Sequence, residues 1–110
     1  MGERPKVEKL RMTRAVALAK VRAAAAGSSN LQWSAHMRER MSERDIDDVD
    51  VLRILRLGDI EDDPIEGTRP NEWKVKITHK LPIGRVAGVV AAILENDRLR
   101  LVTAEWEDKK

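Results

Sequence analysis

The sequence predicts an α+β fold, with N-terminal helices packed on one face of an antiparallel three- to four-stranded β-meander. Three observations lead there. The run from Lys9 to Ala26 is rich in Ala, Leu, Lys and Arg and contains no Gly or Pro, which favours helix. Residues 34–57 carry cap residues and apolar positions three and four apart, the spacing of helical faces. From Trp73 onward the apolar period changes to two, the signature of strands. Helices followed by strands read as a two-layer α+β domain. With 110 residues the chain is long enough for one core. The division expected is a basic, Ala-rich N-terminal helix over 1–30 and a single α+β domain over 31–110.

The first helix presents Leu10, Ala17, Leu18, Val21 and Ala25 on one face, and Gly27-Ser28-Ser29-Asn30 stops it. This narrow, alanine-rich stripe suits light packing or docking on a partner. The second helix starts at Ser34, a good N-cap, with Trp33 ahead of it to pack on the first turn. Met37 and Met41 form its apolar stripe. His36, Arg40 and Arg44, each four apart, form a column beside it. The third helix has Asp47 as N-cap and Asp48 and Asp50 in its first turn, where acids suit the helix dipole. Ile46, Val51, Leu52 and Leu55 are its expected buried set, and Gly58 its stop. A calcium loop would need Gly and Glu where this segment has Asp50 and Arg56, so the acids read as caps.

Residues 59–72 form a polar connection in which Ile60 and Ile65 pin a short edge strand. In "WKVKITHKL" Trp73, Val75, Ile77, His79 and Leu81 alternate with Lys74, Lys76, Thr78 and Lys80. "LPIGR" is a turn. "RVAGVVAAILE" is apolar on both faces, as in a central strand. "ENDR" is a tight turn and "RLRLVTAEW" the last strand.

Charge is strongly segregated. Residues 1–30 carry seven basic and two acidic side chains, residues 45–72 three and ten, and residues 73–110 eight and five. This marks either a nucleic-acid surface or pairing of the acidic middle with a basic N-terminal segment, in the same molecule or a neighbouring one. No apolar run is long enough to cross a bilayer. Lys20 and Arg22 break the alanine tract, so there is no signal-peptide core. The expected location is cytoplasmic, with no membrane partner. The absence of cysteine excludes disulfides and thiolate chemistry.

No phosphate loop, GxSxG or HExxH occurs. His36 and Glu39 alone make an incomplete metal site, so no metal and no cofactor are expected. His36 reads either as a general acid/base beside Arg40 or as a helix histidine at the core boundary. Lys74, Lys76 and Lys80 line one strand face, which Arg85 and Arg100 can join. This is either a phosphate-binding sheet or edge protection against aggregation. With three Trp and no Phe or Tyr, stacking platforms for bases are scarce.

The combination of Ser34, His36, Arg40, Met41, Glu43, Arg44, Ile46 and Gly58 with the strands "WKVKI", "GRVAGVVAAI" and "LRLVTAEW" resembles a small bacterial family known as domain of unknown function 4258. The resemblance runs from about Trp33 to Trp106. That family's layout is in turn similar to the RelE and BrnT ribonucleases of bacterial toxin–antitoxin pairs, which cut RNA without metal. In the last strand Arg100, Val102, Thr103 and Ala104 look like the BrnT pattern R-[IV]-[IV]-S-A-R, and Glu105 stands at its final arginine. The resemblance implies a metal-independent ribonuclease or a degenerate relative. His36 or His79 would move the proton. Arg40, Arg44, Lys74, Lys76, Lys80, Arg85 and Arg100 would hold the nucleic acid. The alternative is a non-catalytic protein- or nucleic-acid-binding module, dimeric through its N-terminal helix. The partners these readings imply are RNA, an antitoxin or other protein, or a second copy of the chain.

Overall fold

The computed structural model describes residues 11–108. Helix α1 (Arg14–Ala25), a short 3-10 turn (Ser28–Asn30) and strand β1 (Leu31–Trp33) come first. Helices α2 (Ala35–Arg44) and α3 (Asp48–Leu57) follow, then strands β2 (Asp59–Ile60), β3 (Ile65–Glu66), β4 (Trp73–Lys80), β5 (Val86–Ile93) and β6 (Leu99–Trp106). The α+β class is as expected. The sheet is larger than the expected three- to four-stranded meander: it has six strands, in the order β1-β6-β5-β4-β2, with β3 also on β4. The added strands are two or three residues long, too short to show an alternating pattern. β1 runs parallel to β6, so the sheet is mixed.

The caps form where the sequence places them. Ser34 accepts the Met37 amide, and Asp47 and Asp50 close a capping box. Gly58 ends α3 in extended backbone, and a Cβ there would collide with the carbonyl oxygens of Thr78 and Ile54. Glycine is therefore required by the close approach of α3 to β4.

The helices cover one side of the sheet. α1 and α3 pack together and onto β4 and β5, and α2 lies on β6. One core joins Ala17, Val21 and Ala24 of α1, Met37 and Met41 of α2, Ile54 and Leu55 of α3, and the inward residues of β4–β6. Ile54 is buried where Leu52 was expected; Leu52 is only half-buried. In β6 the step from Leu101 to Ala104 is odd. A bulge at Val90/Ala91 leaves Val102 unpaired, so Leu99, Leu101 and Ala104 all reach the same core.

Of the two expectations for the stripe of the N-terminal helix, light packing and docking on a partner, the structure shows packing on its own chain. Lys9 and Leu10 lie outside the described residues, but Ala17, Val21, Ala24 and Ala25 are buried in their own chain. Arg22 donates from Nη1 to the Leu55 carbonyl at 2.7 Å and from Nη2 to that of Gly58 at 2.6 Å. Arg56 donates to the Ala25 carbonyl at 3.1 Å. Each helix thus satisfies the open C-terminal carbonyls of the other. Arg14 meets Asp63 at 3.2 Å, and Lys20 meets Asp97 at 2.7 Å. Part of the segregated charge therefore pairs within one molecule.

Candidate functional site

The uncovered side of the sheet is where the expected cationic surface lies. Cross-strand register aligns Lys74 with Ala92 and Arg100, and Lys76 with Val90 and Thr103. Gly88 lies between Thr78 of β4 and Glu105 of β6. With no side chain there, Lys76 crosses the central strand; a Cβ on Gly88 would sit 3.2 Å from Lys76 Cδ and 2.8 Å from Glu107 Oε2. The Lys76 ammonium meets Glu107 at 2.9 Å and Glu105 at 3.2 Å. The hydrogen bond with Glu107 is the main cause raising the lysine pKa; burial opposes it and Glu105 reinforces it. Arg100 is held just as closely. It donates to Glu72 at 3.0 and 3.4 Å, and the Glu72 carboxylate is buried. A buried carboxylate needs such a charged partner.

Lys74 and Lys80 are exposed. Lys74 shares a hollow of about 280 Å³ with Asp62, Asp63 and Glu105. Arg85 does not join the lysine side as expected: it lies 4.1 Å from the centroid of the Trp106 ring, which pairs with buried Ala87 and packs against the core, and it binds Asp108 at 3.1 Å. The sheet therefore presents interleaved charges of both signs where the sequence alone suggested a basic strip. The sequence reasoning missed Glu72, Glu105 and Glu107 as partners of the cations. Plain alternation from Leu99 and Leu101 would put Glu105 on the core side; the bulge at Val90/Ala91 turns it to the lysine side, where it meets Lys76.

The arginine column of α2 is likewise engaged inside the chain. Arg40 pairs with Glu43 at 2.5 Å. Arg44 donates to the Ala104 carbonyl at 2.6 Å, and Trp106 Nε1 donates to the Arg44 carbonyl at 2.8 Å. These bonds fasten the end of α2 to the end of β6. Arg38, which the sequence reading did not single out, pairs with Asp48 at 2.6 Å and stacks on Trp33.

The two histidines are not brought to the cations of the sheet. His36 is exposed on α2, beside the buried Met37. His79 shares the strand parity of Val75 and Ile77, so it lies half-buried on the helix-covered side, paired with Ala87. Lys74, Lys76 and Lys80 have the opposite parity. An acid/base group and a phosphate-holding group thus lie on different sides of one sheet. Among the described residues no group of three or more His, Asp or Glu side chains is arranged to hold a metal ion. No described helix is long and apolar enough to cross a membrane.

No curated protein and no solved structure matches this chain. A family model, Domain of unknown function (DUF4258), matches residues 33–106. The match takes in the last residue of β1, α2, α3 and every later strand, well over half of the chain, and the protein belongs to that family.

Proposed function

We propose that the protein is a non-catalytic binding module that recognises another protein, built on a layout like that of the RelE and BrnT toxins but without their RNA-cleaving chemistry. The observation that carries this reading is the occupation of the sheet cations: Lys76 by Glu105 and Glu107, and Arg100 by Glu72. A metal-independent nuclease needs cations free to stabilise the charge that builds up on phosphate, next to a group that moves a proton. Here carboxylates hold Lys76 and Arg100 and would repel phosphate. Glu105, at the position of the BrnT arginine, is one of them. His36 and His79 lie away from the lysine side. The balanced charge of the open sheet also supports a protein partner over RNA, whose binding draws on unpaired lysine and arginine.

The test is incubation in EDTA with labelled mixed-sequence RNA, and in a second series with translating ribosomes. The wild type is run beside a His36→Ala, His79→Ala double variant. The expected result is intact RNA in every lane, with RNA association of about 10 µM or weaker at physiological salt, the range of non-specific contacts. Cleavage by the wild type that the double variant lacks would overturn the proposal and put the chemistry on an imidazole.

A further inference from the structure

Helix α3 is apolar on two opposite sides; the fold buries one and reaches only the edge of the other, where Leu52 packs partly against the core. Val51, Ile54 and Leu55 are buried. On the other side Val49, Leu52, Arg53, Arg56 and Leu57 follow one another at the i, i+3, i+4, i+7, i+8 spacing of a single helical face. They line a shallow groove of about 330 Å³. Val49 is 61% exposed and Leu57 58%, so nothing described in the chain covers them. A helix apolar on both sides belongs between two layers, and clustered exposed apolar side chains mark an interaction surface.

The charges around the groove indicate what covers it. At the N-terminal end of α3 the acids are engaged locally: Asp48 by Arg38, and Asp47 and Asp50 in the capping box. Among the described residues the two arginines have no acidic partner. Arg53 makes no hydrogen bond or ion pair among the described residues, and Arg56 donates only its Nε, to the Ala25 carbonyl. A second copy of α3 laid antiparallel across a two-fold axis through the centre of the helix would bring Arg53 against its own counterpart. An acidic ligand avoids that repulsion and satisfies both guanidinium groups.

We infer that the outer face of α3 is a docking site for an acidic amphipathic helix of a partner protein. The apolar residues of that helix would seat on Val49, Leu52 and Leu57, and its carboxylates would meet Arg53 and Arg56. The inference rests on reading the chain as a protein-binding module, and it names the surface and the chemistry of the partner.

The test uses the full chain, isotope-labelled, and two synthetic helical peptides of about 18 residues. Both peptides carry leucine at i, i+3, i+4 and i+7. One has glutamate and the other lysine at the flanking positions. Affinity is read by fluorescence anisotropy, and the binding site by amide chemical shifts. The acidic peptide should bind about tenfold more tightly or better, the equivalent of about 1.4 kcal/mol. Its shifts should centre on α3, and Arg53→Glu should abolish the preference. Leu57→Asp should weaken the acidic peptide at least tenfold. Equal affinity for the two peptides, no binding of either, or shifts centred on the open sheet would overturn the inference. So would α3 shifts that grow with protein concentration without peptide and vanish in Leu57→Asp; these would assign the face to a second copy. The peptide comparison on the wild type needs no variant to fold. RNA cleavage with a retained acidic-peptide preference would remove the non-catalytic reading alone. Intact RNA without that preference would remove the α3 site alone.

Discussion

Helices α2 and α3 are neighbours of ten residues each, yet they differ in how much of their chemistry the fold consumes. α2 carries the conspicuous sequence, with a histidine, three arginines and two methionines. Nearly all of it is tied down inside the chain. Met37 and Met41 are in the core, Ser34 caps the helix and also donates to the Leu101 carbonyl, and Arg38, Arg40 and Arg44 each have a partner. α3 looks ordinary in sequence, but among the described residues its outer face leaves two large apolar side chains and Arg53 without partners. Richness in functional residue types is therefore a poor guide to where a surface is available. What the neighbouring elements leave unsatisfied is a better one.

The widest separation between the two helices should appear in stability. Met37 is fully buried, and Met37→Ala should cost about 3 kcal/mol, by lost transfer energy and a residual cavity. For a domain of this size that lowers the melting temperature by roughly 10–20 °C. Leu57→Ala on the outer face of α3 should change stability by no more than about 0.5 kcal/mol. Urea unfolding of both variants measures the difference. A cost for Leu57→Ala close to that of Met37→Ala would make the outer face part of the core, and the contrast would disappear.

A smaller effect separates arginines that hold the fold together from arginines that are available. Arg44→Met leaves the Ala104 carbonyl without its side-chain donor at a part-buried joint and should cost about 1–2 kcal/mol. Arg53→Met should stay within about 0.5 kcal/mol. Trp106→Phe removes the donor to the Arg44 carbonyl at the same joint. In a double-mutant cycle with Arg44→Met it should show a coupling of at least about 0.5 kcal/mol. Additive losses would mean that the two bonds fasten α2 independently.

These contrasts trace what could be read in advance. Caps, helix stops and the three long strands were legible because each depends on local chemistry: Ser34 and Asp47 on their own helix amides, Gly58 on its helix end, and β4 on alternation. The parallel strand β1 was not, because Leu31–Trp33 is too short for periodicity and its partner lies far along the chain. Leu52 and Ile54 exchanged places because α3 is apolar on both sides, so periodicity alone could not choose the inner one. The candidate site was the least legible part. Lysine alternation placed Lys74, Lys76 and Lys80 on one side of a strand correctly. Whether Lys76 and Arg100 are free depends on Glu72, Glu105 and Glu107, brought alongside by register and by the space above Gly88.

The smallest expected effect tests that pairing directly. The pKa of Lys76 is raised, so the folded state favours the protonated amine more than the unfolded chain does. The resulting stability is fully present below the ordinary lysine value of about 10.4 and is lost as pH rises through the higher folded value. The Lys76 side chain is 35% exposed, so solvent screening keeps the contribution to about 1 kcal/mol or less. Urea midpoints at about pH 9 and about pH 11 should therefore differ more for the wild type than for Lys76→Met, which has no amine to deprotonate. Equal differences would show an ammonium group no better solvated in the fold than out of it, and Lys76 would again be available to a phosphate. A larger wild-type difference would mean that a ligand anion has to displace Glu105 and Glu107 before it can use this lysine.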